Sequence, residues 1–318
     1  MPELKTIEEL LKSGIIKKGN DPELIVQRLP LGIPSLDNML GGGLPIGRCI
    51  HCYGPESTGK TLVAQYAVAA VQKSKYPLCL YMDMERSYDE DWWKLSGVDT
   101  TQLLVSDPPT AEQAIDIMRG VLNSSEQLGM IIVDSVAAMI PQPLMDPEKS
   151  SEDNRQPGQQ AKVVTLMYHQ IIPLLKNRVI LLTTNQMRDT IGGHDEFAAL
   201  PGGRANRHYN HIILRTRRDS WITEKEDRIG FWLEVVNRKN KLATTADGDS
   251  IMLPFMFTSQ IDWTTSYIDD AIKAKIITRK GPYYYWNNEN YMGMAKLREF
   301  FTEHPDELEV LRNNLAVS

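Results

Sequence analysis

The chain has 318 residues, a formal net charge of −6 and a hydrophobic fraction of 42%. A chain of this length can form one large α/β domain with a smaller appendage, or two modest domains. No apolar run approaches the roughly 18 residues that span a membrane, so no membrane partner is expected. The acidic balance argues against a protein that coats nucleic acid over its whole surface, although it is compatible with a local basic groove.

The three cysteines are too few for a disulfide framework, and the first residues lack an apolar signal core. We therefore expect a reducing, cytoplasmic location. Cys49 and Cys52 have the C-x-x-C spacing of redox and zinc sites, but they lie in an apolar run without a second cysteine pair. Burial in a strand is the favoured interpretation.

Residues 1–28 are predicted to form an arm that precedes the main domain. Thr6 and Glu9 have the spacing of a capping box, and we expect Gly19 to end the helix that they begin. Leu24–Val26 is a possible short strand. The apolar residues of the helical segment fall on one face: Ile7, Leu10, Leu11 and Ile15.

Residues 29–260 alternate between strand and helix patterns, as is typical of an α/β domain. Strands are predicted at 48–53, 78–82, 103–105, 130–133, 179–184, 211–216 and 230–236. With helices at Thr61–Lys73 and Thr110–Leu122, the early part should form βαβ units around a parallel sheet that is covered on both faces. The later strands lack long intervening helices, so antiparallel pairing is open to them.

Residues 261–318 are predicted to form a small α+β region. A helix is expected near Ser266–Lys275, and Pro305 suits the first position of another helix. The aromatic run Tyr283–Trp286 has two interpretations, base stacking and packing of this region. The usual burial of aromatic side chains favours packing.

A phosphate-binding motif, G-x-x-x-x-G-K-[ST], lies between an apolar strand and an amphipathic helix, which is the context that this motif requires. Backbone N–H groups of such a loop wrap the phosphates of ATP, Lys60 neutralises the β and γ oxygens, and the Thr61 hydroxyl binds Mg²⁺. A glycine turn without a ligand is the alternative, and the strand–loop–helix setting disfavours it. The predicted ATP contacts are Gly54, Pro55, Glu56, Ser57, Thr58, Gly59, Lys60 and Thr61.

Acidic residues follow two further predicted strands. Met130–Asp134 is an apolar run that ends in a carboxylate, as a Walker B strand does, so Asp134 is the second predicted Mg²⁺ ligand. Leu80–Glu85 ends in acids at the same edge of the sheet, so Glu85 is predicted to orient and deprotonate the attacking water. Asp83 competes for this role, and a solvated loop acid is the alternative for both.

These motifs resemble those of the bacterial RecA-type recombinase family, in a compact form compatible with a phage-encoded member. The run GPESTGKT at 54–61 is similar to that family's P-loop, and similar motifs follow in the family's order at Val133–Ala138 and Asn185–Arg188. The lead-in at Ser35–Asp37 and Gly42–Arg48 also matches. The resemblance extends from about residue 29 to residue 300 and implies a RecA-like P-loop ATPase core with a central, mostly parallel sheet.

The resemblance implies roles that the residue pattern alone does not. It makes Glu85 the catalytic glutamate and places Asp89 and Trp92 beside adenine, with Trp92 in the place of the family's usual tyrosine. Gln186 matches the glutamine that senses the γ-phosphate and begins the second DNA-binding loop.

Two segments, Asp146–Gly158 and Met187–Arg207, resemble the family's DNA-binding loops. Flexible glycines, arginines for phosphates and an apolar side chain between bases suit single-stranded DNA that is held by its backbone. Without the resemblance, both segments are equally well interpreted as solvated loops. The candidate DNA contacts are Arg155, Arg188, Phe197, Gly202, Gly203, Arg204 and Arg207.

The resemblance also implies self-association. Lys239 and Lys241 match a lysine pair that reaches the ATP of a neighbouring subunit, although one extra residue precedes the pair here. In the family the N-terminal arm covers the next protomer, and head-to-tail contacts of this kind produce helical filaments. Packing of the arm on its own domain is the alternative.

The implied function is a DNA-dependent ATPase that uses ATP and Mg²⁺. It would form filaments on single-stranded DNA and exchange strands with homologous duplex DNA. Two alternatives share the nucleotide motif: a hexameric RecA-fold DNA helicase and a non-catalytic ATP-binding regulator.

Overall fold

The computed structural model describes residues 6–145, 158–187 and 200–317. The helices in these ranges are α1 (Ile7–Lys12), α2 (Pro34–Leu40), α3 (Lys60–Val71), α4 (Glu90–Leu95), α5 (Ala111–Ser124), α6 (Gln159–Leu175), α7 (Ala205–Tyr209), α8 (Trp263–Lys273), α9 (Gly293–Glu303) and α10 (Pro305–Val317). The strands are β1 (Arg28–Leu29), β2 (Leu44–Pro45), β3 (Cys49–Gly54), β4 (Leu78–Asp83), β5 (Leu103–Ser106), β6 (Leu128–Asp134), β7 (Ile180–Gln186), β8 (Ile212–Glu224), β9 (Asp227–Asn240), β10 (Ser250–Met256), β11 (Gln260–Ile261), β12 (Thr278–Lys280), β13 (Tyr283–Trp286) and β14 (Glu289–Met292).

One nine-stranded sheet organises the molecule, in the order β11-β10-β9-β8-β3-β7-β6-β4-β5. The strands from β8 to β5 in that order pair in parallel. Strands β9, β10 and β11 extend the sheet by antiparallel pairing. The predicted fold class, an α/β core with a mostly parallel sheet, is therefore confirmed. The later strands pair antiparallel because a short turn joins β8 to β9 where the earlier strands are joined by helices.

Helices cover both faces of the sheet, which explains its continuously apolar strands. Helix α3 packs in one hydrophobic core, and helices α5 and α6 pack in another. Cys49 and Cys52 point into opposite cores, and burial raises the pKa of each thiol to about 12. These cysteines are buried strand residues, as predicted.

The hairpin of β8 and β9 is longer than the two strands predicted for it. Its pairing continues outward to Glu224 and Asp227, and Lys225 at its tip has a left-handed φ of 56°. The outer residues are mostly polar or charged, a composition that is also typical of loops. An antiparallel hairpin tolerates them because its faces are open to solvent.

The N-terminal helix α1 is shorter than predicted. It ends at Lys12 rather than near Gly19, and Gly14 just beyond it has a left-handed φ of 70°, a common way for a helix to end. The predicted capping box of Thr6 and Glu9 is present. No residue of α1 is buried, and Ile7 is 71% exposed.

The short strand predicted at Leu24–Val26 is wrong. Pro22–Leu24 form a 3-10 helix, because the Asp21 side chain accepts a hydrogen bond from the N–H of Glu23 and Pro22 suits a helix start. The strand of this region is β1, which pairs antiparallel with β2 in a separate two-stranded sheet.

The C-terminal region contains α8, β12, β13, β14, α9 and α10 around its own hydrophobic core. Pro305 begins α10, as predicted. Tyr284 and Trp286 are buried in this core, which supports packing as the role of these two aromatic residues. Among the described residues, no helix combines the length and the apolar character that crossing a membrane requires.

Candidate nucleotide-binding site

The carboxyl ends of four neighbouring parallel strands meet at one edge of the sheet. A cavity of about 520 Å³ opens there. Its lining brings together residues that are far apart in sequence: Glu56, Ser57, Thr58, Gly59, Lys60, Thr61, Leu62, Glu85, Ser87, Trp92, Asp134, Gln186, Phe231, Phe255 and Phe257.

The loop from β3 to α3 is shaped to let its backbone approach a ligand. Gly59 has a left-handed φ of 80°, and a Cβ atom there would lie 2.8 Å from Leu233. A Cβ atom at Gly54 would lie 2.2 Å from the carbonyl oxygen of Thr216. Only glycine fits both positions. The N-terminus of α3, which starts at Lys60, therefore faces the cavity with its partial positive charge.

Lys60 supplies the cation of this loop. Its ammonium donates a hydrogen bond to the carbonyl oxygen of Pro55 at 2.6 Å. Burial lowers its pKa, and nearby acids that include Asp134 and Glu85 oppose that shift. A buried ammonium beside an open cavity is suited to neutralising phosphate oxygens.

Thr61 and Asp134 are two neighbouring oxygen-bearing side chains in the lining of the cavity. The Thr61 hydroxyl donates to Asp134 Oδ2 at 2.7 Å. Tyr81 donates to the same oxygen at 3.2 Å, and the Thr184 hydroxyl donates to Asp134 Oδ1. A buried carboxylate beside a hydroxyl fits the hard oxygen ligands that Mg²⁺ prefers, and the neighbouring donors fix the carboxylate's orientation.

Glu85 is the carboxylate that faces the cavity from the end of β4. Its Oε1 accepts a hydrogen bond from the Ser135 hydroxyl at 2.5 Å. Gln186 Nε2 lies 3.4 Å from Oε1 and 3.5 Å from Oε2 of the same carboxylate. The structure therefore places the predicted base and the predicted γ-phosphate sensor in direct contact.

Asp83, the competitor for the catalytic role, has a different environment. It is 3% exposed and does not belong to the cavity lining. Its two oxygens accept hydrogen bonds from the backbone N–H groups of Ser87 and Tyr88 at 3.0 and 2.8 Å. This carboxylate holds the loop after β4.

The end of the cavity beyond the P-loop is aromatic. Trp92 lies there, and its ring centroid is 6.2 Å from that of Phe255. Asp89 accepts a hydrogen bond from the N–H of Trp92 at 2.8 Å and so begins α4, but it does not line the cavity.

Five lining residues were not predicted, and three of them are aromatic: Leu62, Ser87, Phe231, Phe255 and Phe257. Phe231 and Phe255 are opposite one another in the pairing of β9 with β10, with ring centroids 4.8 Å apart. Phe255 and Phe257 are two residues apart in an extended segment, so their side chains lie on the same face of it. This spacing was the one sign in the sequence that the two phenylalanines act together.

Lys239 and Lys241 are not brought to this cavity. Lys239 is paired with Ile213 near the start of β8, which lies toward the amino ends of the parallel strands, whereas the cavity lies at their carboxyl ends. Its ammonium donates to the carbonyl oxygen of Asn210 at 2.7 Å and to that of Arg207, at the end of α7. Burial, together with Lys241 and Arg207, lowers the pKa of Lys239 to about 8.

Four candidate DNA contacts lie at or within α7. Gly202 and Gly203 have left-handed φ values of 83° and 61°, Arg204 follows them directly, and Arg207 lies in the last turn of the helix. The other candidates lie outside the described residues: Arg155, Arg188 and Phe197.

Comparison with known proteins identifies the family. The RecA N-terminal domain family matches residues 2–261. The Protein RecA of Mycoplasma mobile is 33% identical over 299 residues, which cover 92% of this chain and 88% of that protein. The corresponding protein of Levilactobacillus brevis is 33% identical over 95% of this chain and 80% of its own length. That of Salinispora arenicola is 35% identical over 93% of this chain and 84% of its own length.

The family match over residues 2–261 includes the nucleotide motif, both acidic strand ends and Gln186. The matches favour neither the helicase nor the regulator alternative. The resemblance seen in the motifs is thus confirmed over most of the chain, and the chain belongs to the RecA family of recombinases.

Proposed function

We propose that this chain binds ATP and Mg²⁺ in the cavity at the end of β3, assembles on single-stranded DNA and exchanges strands with homologous duplex DNA. As a RecA family member it is a recombinase and a DNA-dependent ATPase. The observation that carries the site assignment is the convergence of Lys60, Asp134, Glu85 and Gln186 on one cavity.

In this proposal the P-loop amides and Lys60 hold the triphosphate, and Thr61 and Asp134 hold Mg²⁺. The metal ion would neutralise charge on the phosphate oxygens. Glu85 would accept a proton from the attacking water. Ser135 supports this role, because its hydrogen bond to Oε1 holds the carboxylate in position.

Gln186 is the proposed link between the nucleotide and the DNA. It contacts Glu85 with its amide and ends β7, directly before the segment that resembles a DNA-binding loop. A γ-phosphate that draws this amide away from Glu85 would move the start of the loop. The candidate DNA contacts Gly202, Gly203 and Arg204 lie at the other end of the same segment.

The filament proposal rests on two exposed apolar surfaces. The arm exposes Ile7 and Ile15 to 71% and 63%. At the outer edge of the sheet, β5 exposes Leu104 and Val105 to 41% each. A sheet edge with exposed apolar side chains favours association with another chain. We propose that the arm of one subunit covers this edge of the next.

Lys239 and Lys241 are the proposed contribution of the neighbouring subunit to the ATP site. Their position away from their own P-loop supports a role in trans, because they cannot serve the cavity of their own chain. A cation supplied across an interface stabilises the charge that develops on the transferred phosphoryl group.

ATP hydrolysis measured with and without single-stranded DNA tests this function. We expect turnover to rise with single-stranded DNA, helical filaments in negative-stain micrographs, and joint molecules between single-stranded and homologous duplex DNA. Closed rings that unwind duplex DNA would contradict the proposal. So would ATP binding without any DNA-stimulated turnover.

A further inference from the structure

Gln260 is a buried residue in a backbone conformation that is unfavourable for it. It begins β11, directly after the turn that follows β10, and its exposed fraction is 0%. Its φ is 61°, in the left-handed region that glycine adopts more easily. A residue with a side chain keeps this conformation only where surrounding contacts stabilise it, and for Gln260 those contacts include the hydrogen bonds of its amide.

The Gln260 amide makes several hydrogen bonds with the region behind the aromatic end of the nucleotide cavity. Its Nε2 donates to the backbone carbonyl oxygen of Trp92 at 2.9 Å. Its Oε1 lies 2.6 Å from the Ser96 hydroxyl and 3.3 Å from the Tyr66 hydroxyl, both of which act as donors. Trp92 belongs to α4, and its carbonyl is one of the helix-end acceptors that need an external donor.

The backbone of Gln260 is tied to the opposite wall of the same cavity. It pairs with Met256 at the end of β10, between the wall residues Phe255 and Phe257. Gln260 itself does not line the cavity. Its side chain therefore holds the indole-bearing helix, and its backbone holds the phenylalanine-bearing strand.

The same network reaches the P-loop helix. The Tyr66 hydroxyl that donates to Gln260 belongs to α3, and so does Gln65, whose Oε1 lies 2.8 Å from Ser96 Oγ as an alternative acceptor for its one hydroxyl proton. The separation of the two aromatic walls is thus linked to the helix whose N-terminus faces the phosphate end. Preorganised walls lose less conformational freedom when a flat ring enters between them.

We propose that Gln260 is a positioning residue that sets the spacing of the aromatic walls for the purine base of ATP. The proposal rests on the proposed function of the cavity. In this proposal the P-loop provides the affinity for the triphosphate and the aromatic walls provide the affinity for the base. Gln260 affects only the affinity for the base. A residue with a merely structural role would weaken the binding of the triphosphate and of the base equally.

Gln260→Gly tests the proposal, because glycine accepts the left-handed φ while the whole side chain, with its amide, is removed. The measurements are KM and kcat for Mg²⁺-ATP and the inhibition constant of Mg²⁺-tripolyphosphate, which lacks the base. We expect KM to rise about tenfold, the size of one lost base–aromatic contact. We expect kcat and the tripolyphosphate constant to stay at their wild-type values.

Lys275→Gly is the matched control. Lys275 is exposed and has a φ of 60°, so this substitution makes the same backbone change away from the cavity. It should alter none of the three constants. Ser96→Ala is a second test variant, since it removes one donor to Gln260 with a smaller loss of volume. It should raise KM in the same direction by a smaller factor, and it is decisive if Gln260→Gly does not fold.

Three results would overturn the proposal. If a folded Gln260→Gly variant had an unchanged KM while the wild-type chain hydrolysed ATP normally, Gln260 would have no role in binding the base. The proposed function of the cavity would be unaffected by that result. An equal weakening of ATP and tripolyphosphate would show a general structural role. A wild-type chain that does not hydrolyse ATP would overturn the proposed function together with this inference.

Discussion

At the end of β4, two carboxylates only two residues apart are held for different purposes. Asp83 accepts hydrogen bonds from two backbone N–H groups and is buried, whereas Glu85 faces the cavity and contacts Ser135 and Gln186. A carboxylate fixed by backbone donors stabilises a loop, while one beside open space is available to accept a proton. Their environments separate roles that their spacing in the sequence leaves open.

Substitution of each acid by its amide separates these roles. We expect Glu85→Gln to lower DNA-stimulated kcat by about 10²–10⁴-fold, because the general base is lost, with little change in ATP affinity. Asp83→Asn should instead lower the free energy of unfolding by roughly 1–3 kcal/mol, because a charged acceptor of two backbone donors is weakened. Steady-state turnover and thermal denaturation measure the two effects. A Glu85→Gln protein with wild-type turnover would remove Glu85 from the mechanism.

Site residues that are placed by local sequence patterns were predictable, whereas those placed by pairing between distant parts of the sequence were not. The P-loop, Asp134 and Glu85 follow strands whose local pattern identifies them, and Gln186 entered through the resemblance. Phe231 and Phe255 look like ordinary strand residues in sequence. They reach the cavity because β9 pairs with β10 at a particular register, which is a long-range property that periodicity does not contain.

At the scale of elements, helix α7 is held by a lysine from β9. The helix spans only Ala205–Tyr209, and Lys239 donates to carbonyl oxygens at its C-terminal end. A cation is favourable at that end of a helix. Asn210 adds a second attachment, since its amide donates to the Tyr168 hydroxyl at 2.8 Å. Because Arg204 adjoins α7 and Arg207 belongs to it, Lys239 ties the helix of these candidate DNA contacts to β9.

The two lysines of the pair should therefore respond differently to substitution. Lys239→Ala removes the donor at the end of α7, and we expect a loss of roughly 1 kcal/mol in the free energy of unfolding together with weaker DNA binding. Lys241→Ala changes an exposed side chain, so the melting temperature should stay the same. Thermal denaturation and single-stranded DNA titration provide the comparison. Equal melting temperatures for both variants would contradict the anchoring role of Lys239.

At the scale of the whole molecule, the exposed apolar side chains of the N-terminal arm are best explained by contact with another subunit. Its apolar side chains were predictable as one face of a helix, but α1 ends at Lys12 and leaves Ile15 beyond the helix. Ile7 and Ile15 remain exposed, so packing on their own domain does not account for them. A partner surface is the remaining way to remove this apolar area from water.

A charged residue on the arm should affect assembly and not folding. We expect Ile7→Asp to leave the melting temperature of the isolated chain unchanged, because Ile7 is 71% exposed there. Filaments on single-stranded DNA should be shortened or absent, since the aspartate would have to be desolvated at the subunit contact. Negative-stain microscopy gives the readout, and Lys12→Glu on the same exposed helix is the control for charge alone. Normal filaments from Ile7→Asp would exclude this face from the interface.

A shared ATP site makes a further prediction that a self-contained site does not. Lys60→Ala chains lack a working P-loop but keep Lys241, and Lys241→Ala chains keep the P-loop but lack the exposed lysine of the proposed trans pair. Each variant alone should have little DNA-stimulated turnover. In an equimolar mixture, random neighbours would place an intact P-loop against an intact Lys241 at about a quarter of the interfaces, so activity should return to that extent. A mixture no more active than its two components would mean that Lys241 does not complete a neighbour's site.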